Sequence, residues 1–126
     1  MTGKTLILST LLATLAAIPA SAQPMRRDYP SCNLAQQHRL RAPTGGAIRD
    51  RLQAHIAMRA NILQADISTA RKARRLTQPQ AQGLWNQVDR IRRDADGFVA
   101  KQGFLSGGEL ASYDRSLDMV AMKLCR

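Results

Sequence analysis

The side chains that most often perform acid–base chemistry are scarce in this chain of 126 residues, which has two histidines, two cysteines and one glutamate. His38 lies in a segment rich in proline and arginine, and His55 borders an apolar helical stripe, so we interpret His55 as a partly buried structural residue. No GxSxG turn, SxxK pair or HExxH cluster is present. A paired-carboxylate mechanism would have to use aspartates scattered over exposed helical faces. The sequence therefore predicts a protein that is not an enzyme and that has no cofactor.

One segment of the sequence partly matches an EF-hand loop, a calcium-binding motif. The residues from Gly103 to Glu109 match its second half, with a glycine, an apolar residue, a serine and a final glutamate in order. Counting back from Glu109 places Phe98, Ala100 and Gln102 where side-chain oxygens should bind the cation, and only Gln102 has one. We therefore predict no metal site and interpret this segment as a capped helix start.

Arginine is the charged residue type that the chain contains in excess. The formal net charge is +10, from 19 Lys+Arg against 9 Asp+Glu. Two basic runs close the first and the second predicted helices, near the ends where cations interact favourably with the last carbonyl groups. The same runs would form a surface for an anionic partner. The predicted partner-binding residues are Arg71, Lys72, Arg74, Arg75, Arg90, Arg92 and Arg93.

Composition narrows the class of partner. Only 4% of the residues are aromatic, which argues against a base-stacking platform and therefore disfavours nucleic acid. One groove through both basic runs is not expected, because antiparallel helices would place them at opposite ends. We expect a non-enzymatic protein that binds an anionic component or a protein of the bacterial envelope. The alternative is a periplasmic inhibitor or immunity-type protein that blocks an envelope hydrolase.

Residues 1–22 have the pattern of a secretory signal peptide. Lys4 precedes an apolar run from Leu6 to Ile18, and small residues stand at the −3 and −1 positions of the expected cleavage site. The run is shorter than the roughly 20 apolar residues that span a bilayer, although an uncleaved anchor is the alternative. We expect cleavage between Ala22 and Gln23, and a periplasmic or secreted bacterial protein without a transmembrane segment.

The two cysteines, Cys32 and Cys125, fit this location. An isolated pair in an oxidising compartment is expected to form a disulfide, while free thiols or an intermolecular bridge are the alternatives. Closing so long a loop stabilises the fold by about 4–5 kcal/mol in the chain-entropy model. No CxxC or Cys/His spacing accompanies the pair, so metal binding is not indicated.

Three segments carry apolar residues at steps of three and four, which predicts three amphipathic helices. The first covers 47–73, the second runs from Thr77 to about residue 97, and the third runs from Ser106 to the C-terminus. A Gln or Glu three residues after the second and third starts completes a capping box. The predicted buried residues are Ile48, Leu52, Ile56, Ala60, Leu63, Ile67, Ala70, Ala81, Leu84, Trp85, Val88, Ile91, Ala95, Leu110, Tyr113, Leu117, Val120, Ala121 and Leu124.

These elements predict an all-α fold, a three-helix bundle or helical hairpin stapled by one disulfide. The expected organisation is a signal peptide over 1–22, an extended basic arm over 23–46 and a helical domain over 47–126. We place the apolar residues of 98–105 in a loop that covers the end of the bundle.

Part of the helical domain, residues 67–120, resembles a group of small exported proteobacterial proteins. Their shared pattern is I-x2-G-x2-SG-x-LT-x2-E, a helix, and then DG-x-LT-x2-E. Here Ala70 and Arg74 replace two of the glycines, and an insertion separates the DG pair from the second repeat. Members of this group lack an assigned activity, so the resemblance implies an EF-hand-like, calcium-free helical fold and no function. The matching residues are Ile67, Leu76, Thr77, Gln80, Asp96, Gly97, Leu105, Ser106 and Glu109.

Overall fold

A computed structural model describes residues 28–126, so the predicted signal peptide and residues 23–27 of the predicted arm lie outside the described residues. Within this range the chain forms helices and no strand. The prediction of an all-α fold is confirmed. The elements are a 3₁₀ helix at Pro30–Cys32, α1 at Leu34–His38, α2 at Arg51–Lys72, α3 at Gln78–Gln102 and α4 at Gly107–Leu124.

Helix α2 is the centre of the fold, in contact with α3, α4 and the 3₁₀ helix. Asp50 begins it as the N-cap, since its side chain accepts a hydrogen bond from the Gln53 backbone at 2.8 Å. The predicted apolar stripe of this helix is buried from Ile56 to Ala70. Because neighbours cover several sides of α2, polar residues outside that stripe are buried as well, including His55 and Arg59.

Helix α3 is longer than the sequence predicts. It starts with the expected capping box of Thr77 and Gln80, but it continues past Gly97 to Gln102. Gly103 ends it, because this residue has φ 90, in the left-handed region that glycine adopts without a Cβ penalty. The predicted end near residue 97 is therefore wrong. An Asp-Gly pair is only a weak stop signal when the backbone can remain right-handed.

The expected loop over 98–105 is correspondingly wrong for its first half. Phe98 belongs to α3, is 44% exposed and packs edge-on against Tyr113 with 6.3 Å between the ring centroids. Phe104 is also exposed, whereas Leu105, the last residue of this segment, is buried. Trp85 was predicted to be buried but is 39% exposed. Only a narrow face of α3, which includes Leu84, packs into the core, and Trp85 lies outside that face.

The segment before α2 contains two short helical elements where the sequence predicts an extended arm. The backbone N–H of Ser31 donates to the buried carboxylate of Asp66 at 2.9 Å, which fixes the 3₁₀ helix against α2. Cys32 and Cys125 form the predicted disulfide, with their Cα atoms 5.8 Å apart. This bond joins the segment to the end of α4. No helix within residues 28–126 is long and apolar enough to cross a membrane.

Candidate functional site

The first basic run lies at the turn between α2 and α3. The backbone N–H of Arg74 donates to the Arg71 carbonyl, and that of Arg75 donates to the Ala70 carbonyl, both at 2.9 Å. This pair of bonds is the Schellman arrangement that ends a helix with one left-handed residue. That residue is Arg74, with φ 58, although glycine is usual at this position. The turn therefore holds an arginine in a conformation that costs about 1–2 kcal/mol for residues with a Cβ atom.

This turn forms a basic surface together with the end of α4. Its four cations and the residues that follow them line a depression of about 480 Å³: Arg71, Lys72, Arg74, Arg75, Leu76, Thr77, Gln78 and Gln80. Arg75 also lines a neighbouring depression of about 320 Å³, which it shares with Lys123 and Arg126. We call these six cations the basic end of the bundle: Arg71, Lys72, Arg74, Arg75, Lys123 and Arg126.

The basic end carries little negative charge. Arg75 pairs with Asp28 at 2.9 Å and lies over the Tyr29 ring, 5.6 Å from its centroid. Arg71 donates a hydrogen bond to the neutral side chain of Gln78. Among residues 28–126, Asp28 is the only carboxylate that forms an ion pair with any member of the basic end. The other five cations form no ion pair within residues 28–126, although Lys123 also donates a hydrogen bond to the neutral side chain of Gln87.

The second basic run lies in the middle of α3 and not near the end of that helix, as predicted. Because α3 continues to Gln102, Arg90, Arg92 and Arg93 lie in the middle of the helix, and the interaction with terminal carbonyls does not apply to them. Arg92 and Arg93 both pair with Asp89, at 2.9 and 3.2 Å. Of the three, Arg90 lines a depression together with Lys123 and Arg126, and the carboxylate of Asp94 lines it too. The structure therefore assembles the first run and separates Arg92 and Arg93 from it.

Sequence reasoning missed Lys123 and Arg126. These two residues join the basic end because α2 and α4 end at the same side of the bundle. No pattern of neighbouring residues in the sequence predicts that arrangement. The signal available was the disulfide, since Cys125 stands between them and Cys32 lies beside Tyr29, a neighbour of Arg75.

A second polar assembly lies inside the bundle, between α2 and α4. Arg59 is 2% exposed and donates to Asp114 at 2.5 Å and to Asp118 at 2.7 Å. These aspartates are four residues apart on α4 and therefore face α2 together. The expectation that aspartates lie only on exposed helical faces is wrong for Asp114, because it points at the buried arginine.

His55 completes this assembly one turn before Arg59. Its Nδ1 lies 2.8 Å from the Leu40 carbonyl oxygen, and its Nε2 lies 3.0 Å from Asp114. Both partners accept hydrogen bonds, so the ring makes both contacts as a donor only in its imidazolium form, with a proton on each nitrogen. The hydrogen bond to Asp114 raises the pKa of His55, against the opposing effect of burial. The interpretation of His55 as a buried, satisfied residue agrees with these contacts.

The charges of the assembly balance. Arg59 and the imidazolium of His55 face two carboxylates, and His38 approaches Asp118 at 2.8 Å from the exposed side. Burial raises the pKa of Asp114, but hydrogen bonds from His55 and Arg59 outweigh it and hold the pKa below its ordinary value. A carboxylate paired in this way is a weak base, and its contacts with His55 and Arg59 join α4 to α2. Within residues 28–126, no group of three or more His, Cys, Asp or Glu side chains is arranged to hold a metal ion.

The pairing of His55 and Arg59 with Asp114 and Asp118 was also missed from the sequence. It joins residues 59 positions apart in the chain. The available signal was a matched spacing, because two basic residues on one helix and two acidic residues on another are each separated by four positions.

We compared the chain with protein-family models, curated proteins and solved structures, and none of them matches it.

Proposed function

We propose that this protein is an exported, non-enzymatic protein of the bacterial envelope that binds an anionic envelope component through the basic end of the bundle. The observation that carries the proposal is the convergence of six cations on two adjoining depressions, with one paired carboxylate among the described residues. Phosphate-bearing lipopolysaccharide is the envelope component whose charge suits such a surface.

The conformation of Arg74 supports this proposal. A glycine at the same position would end α2 without the cost of the left-handed backbone. The proteins that this chain resembles have glycine there, whereas this chain has a cation that projects beside Arg71 and Lys72. Strain that is maintained at one residue is a reason to assign it a role in binding.

Two features support export. Residues 1–22 have a signal-peptide pattern, and the disulfide between Cys32 and Cys125 is typical of proteins that fold in an oxidising compartment. Cleavage after Ala22 would leave Gln23 as the first residue of the mature protein.

The test compares two double variants that remove the same charge. Lys72→Gln with Arg74→Gly removes two of the six cations of the basic end and relieves the backbone cost at Arg74, so it should remain folded. Arg92→Gln with Arg93→Gln is the matched control on another face. A cation near an anionic lipid surface contributes about 1 kcal/mol, so the first variant should bind lipopolysaccharide-containing vesicles about 10- to 30-fold more weakly at low salt. The control should lose no more than about threefold.

The salt dependence separates the proposal from its alternative. Binding through the basic end should weaken steeply as the salt concentration rises, because exposed charges are screened. Equal losses in the two double variants would contradict the proposal. A salt-resistant complex with an envelope hydrolase, unaffected by the first variant, would favour the inhibitor or immunity-type function instead.

A further inference from the structure

A groove lies at the opposite end of α2 from the basic end. It has a volume of about 960 Å³ and runs between the segment 38–44, the first turns of α2 and the start of α4. Arg51 and Lys72, the two ends of α2, are separated by 21 helical steps, or about 30 Å along its axis. The groove and the basic end are therefore separate surfaces.

One side of the groove is cationic. Arg39, Arg41 and Arg51 line it and are exposed, and no aspartate or glutamate lines it. None of these three arginines forms an ion pair within residues 28–126. Guanidinium groups bind carboxylate and phosphate in bidentate geometry, so a group of three favours an oxyanion.

The rest of the groove is apolar. Its remaining walls include Leu40, Pro43, Leu52 and Leu110, and the last two pack against the hydrophobic core. The volume is within the range of sites that hold a small organic ligand. An inorganic anion would leave the apolar walls facing water, whereas an acyl chain would cover them.

The groove is also held in shape by the buried assembly described above. The carbonyl of Leu40 accepts the Nδ1 hydrogen bond of His55 at 2.8 Å, and His38 at its edge is paired with Asp118. The segment that carries Arg39 and Arg41 is thus anchored at both His38 and Leu40 before any ligand binds. Such preorganisation lowers the entropic cost of binding.

We propose that this groove binds a single-chain amphiphilic anion, an acyl chain that ends in a carboxylate or a phosphate, with the head group at Arg39, Arg41 and Arg51. The chain lies along Leu52 and Leu110. This site is independent of the basic end, because no residue lines both.

Calorimetric titration of the full protein below the micellar concentration of each probe tests the proposal. The probes are laurate, dodecyl phosphate, dodecyl maltoside, acetate and inorganic phosphate. We expect one-to-one binding of laurate, dodecyl phosphate or both, which also identifies the preferred head group. The neutral maltoside and the two chainless anions should bind at least tenfold more weakly than the better of the two.

Variants then locate the site. Arg39→Gln with Arg41→Gln should weaken binding of the anionic amphiphiles at least tenfold. The matched control, Arg49→Gln with Arg115→Gln, removes two exposed arginines that do not line the groove and should change binding less than threefold. Equal binding of dodecyl maltoside, or equal losses in the two variants, would overturn the proposal. Unchanged laurate binding in the Lys72→Gln and Arg74→Gly variant would show that the groove binds its ligand independently of the basic end.

Discussion

Arg59, His55 and two aspartates bring full charges into the interior of a small bundle. Taking such groups out of water is costly, and the arrangement is tolerated because each carboxylate contacts a cation at hydrogen-bond distance. Removing one partner would leave the other charge buried and unpaired. We therefore interpret the assembly as a device that fixes the register of α4 on α2, and its protonation state should set part of the stability.

The stability of the fold should depend on pH through His55 and Asp114. The pKa of His55 is raised in the folded protein, so its contribution to stability is full below about pH 6.5 and is lost as the pH rises through the folded pKa. The pKa of Asp114 is lowered, so its contribution is present above about pH 4 and is lost as the pH falls through the folded pKa. We expect the free energy of unfolding, measured with urea, to be higher at pH 5.5 than at pH 9.

Comparison with His55→Gln isolates the histidine. The difference in unfolding free energy between the wild type and this variant should be largest near pH 5.5 and should shrink towards pH 9. The control is His38→Gln, whose side chain is 43% exposed and whose pair with Asp118 should matter less. A difference for His55→Gln that does not change with pH would show that the ring is not charged in the folded protein.

At the scale of elements, the sequence predicts the starts of α3 and α4, but it places the start of α2 at 47, four residues before Arg51. Thr77 and Ser106 both form complete capping boxes as predicted, because the cap and its partner are close in sequence and make their own hydrogen bonds. The end of α3 was misplaced because Gly97 remains helical and Gly103 takes the left-handed conformation. Which glycine ends a helix depends on the packing of the residues that follow, here Leu105 in the core.

Glycine variants of α3 test this account of the helix. A Cβ atom added at Gly83 or Gly97 would meet no other atom within 4 Å. Replacing either with alanine should therefore raise the free energy of unfolding by about 0.5–1 kcal/mol, since glycine is the poorer helix former. Thermal unfolding followed by circular dichroism would measure the change.

Gly103→Ala is the matched control, because the same substitution there meets a φ of 90. It should destabilise the protein by about 1–2 kcal/mol. Destabilisation by Gly97→Ala of the same size would indicate that α3 ends at Gly97 after all.

At the scale of the molecule, the disulfide joins two segments that are far apart in the chain. It attaches the segment before α2 to the end of α4, close to Tyr29 and the basic end. The sequence predicts this bond from its two cysteines alone. It does not predict the basic end in full, the groove or the buried assembly, because each depends on which helix faces meet across long chain separations.

The disulfide can be tested by measuring the mass of the mature protein without reduction. Its mass should correspond to a chain that begins at Gln23 and lacks two hydrogens. Replacing Cys32 and Cys125 together with alanine should lower the free energy of unfolding by about 4–5 kcal/mol, because the unfolded chain regains the freedom that a 93-residue link removes. Labelling of both thiols in the untreated protein would contradict the bond.

The central claim is that the basic end is where the protein meets an anionic partner, and nuclear magnetic resonance tests it most directly. A short heparin-derived oligosaccharide would be titrated into the isotope-labelled mature protein at low salt. We predict that the largest chemical-shift changes occur in residues 70–78 and 122–126 and that they disappear at high salt. Changes centred on residues 89–93, or changes spread evenly over the bundle, would contradict the claim.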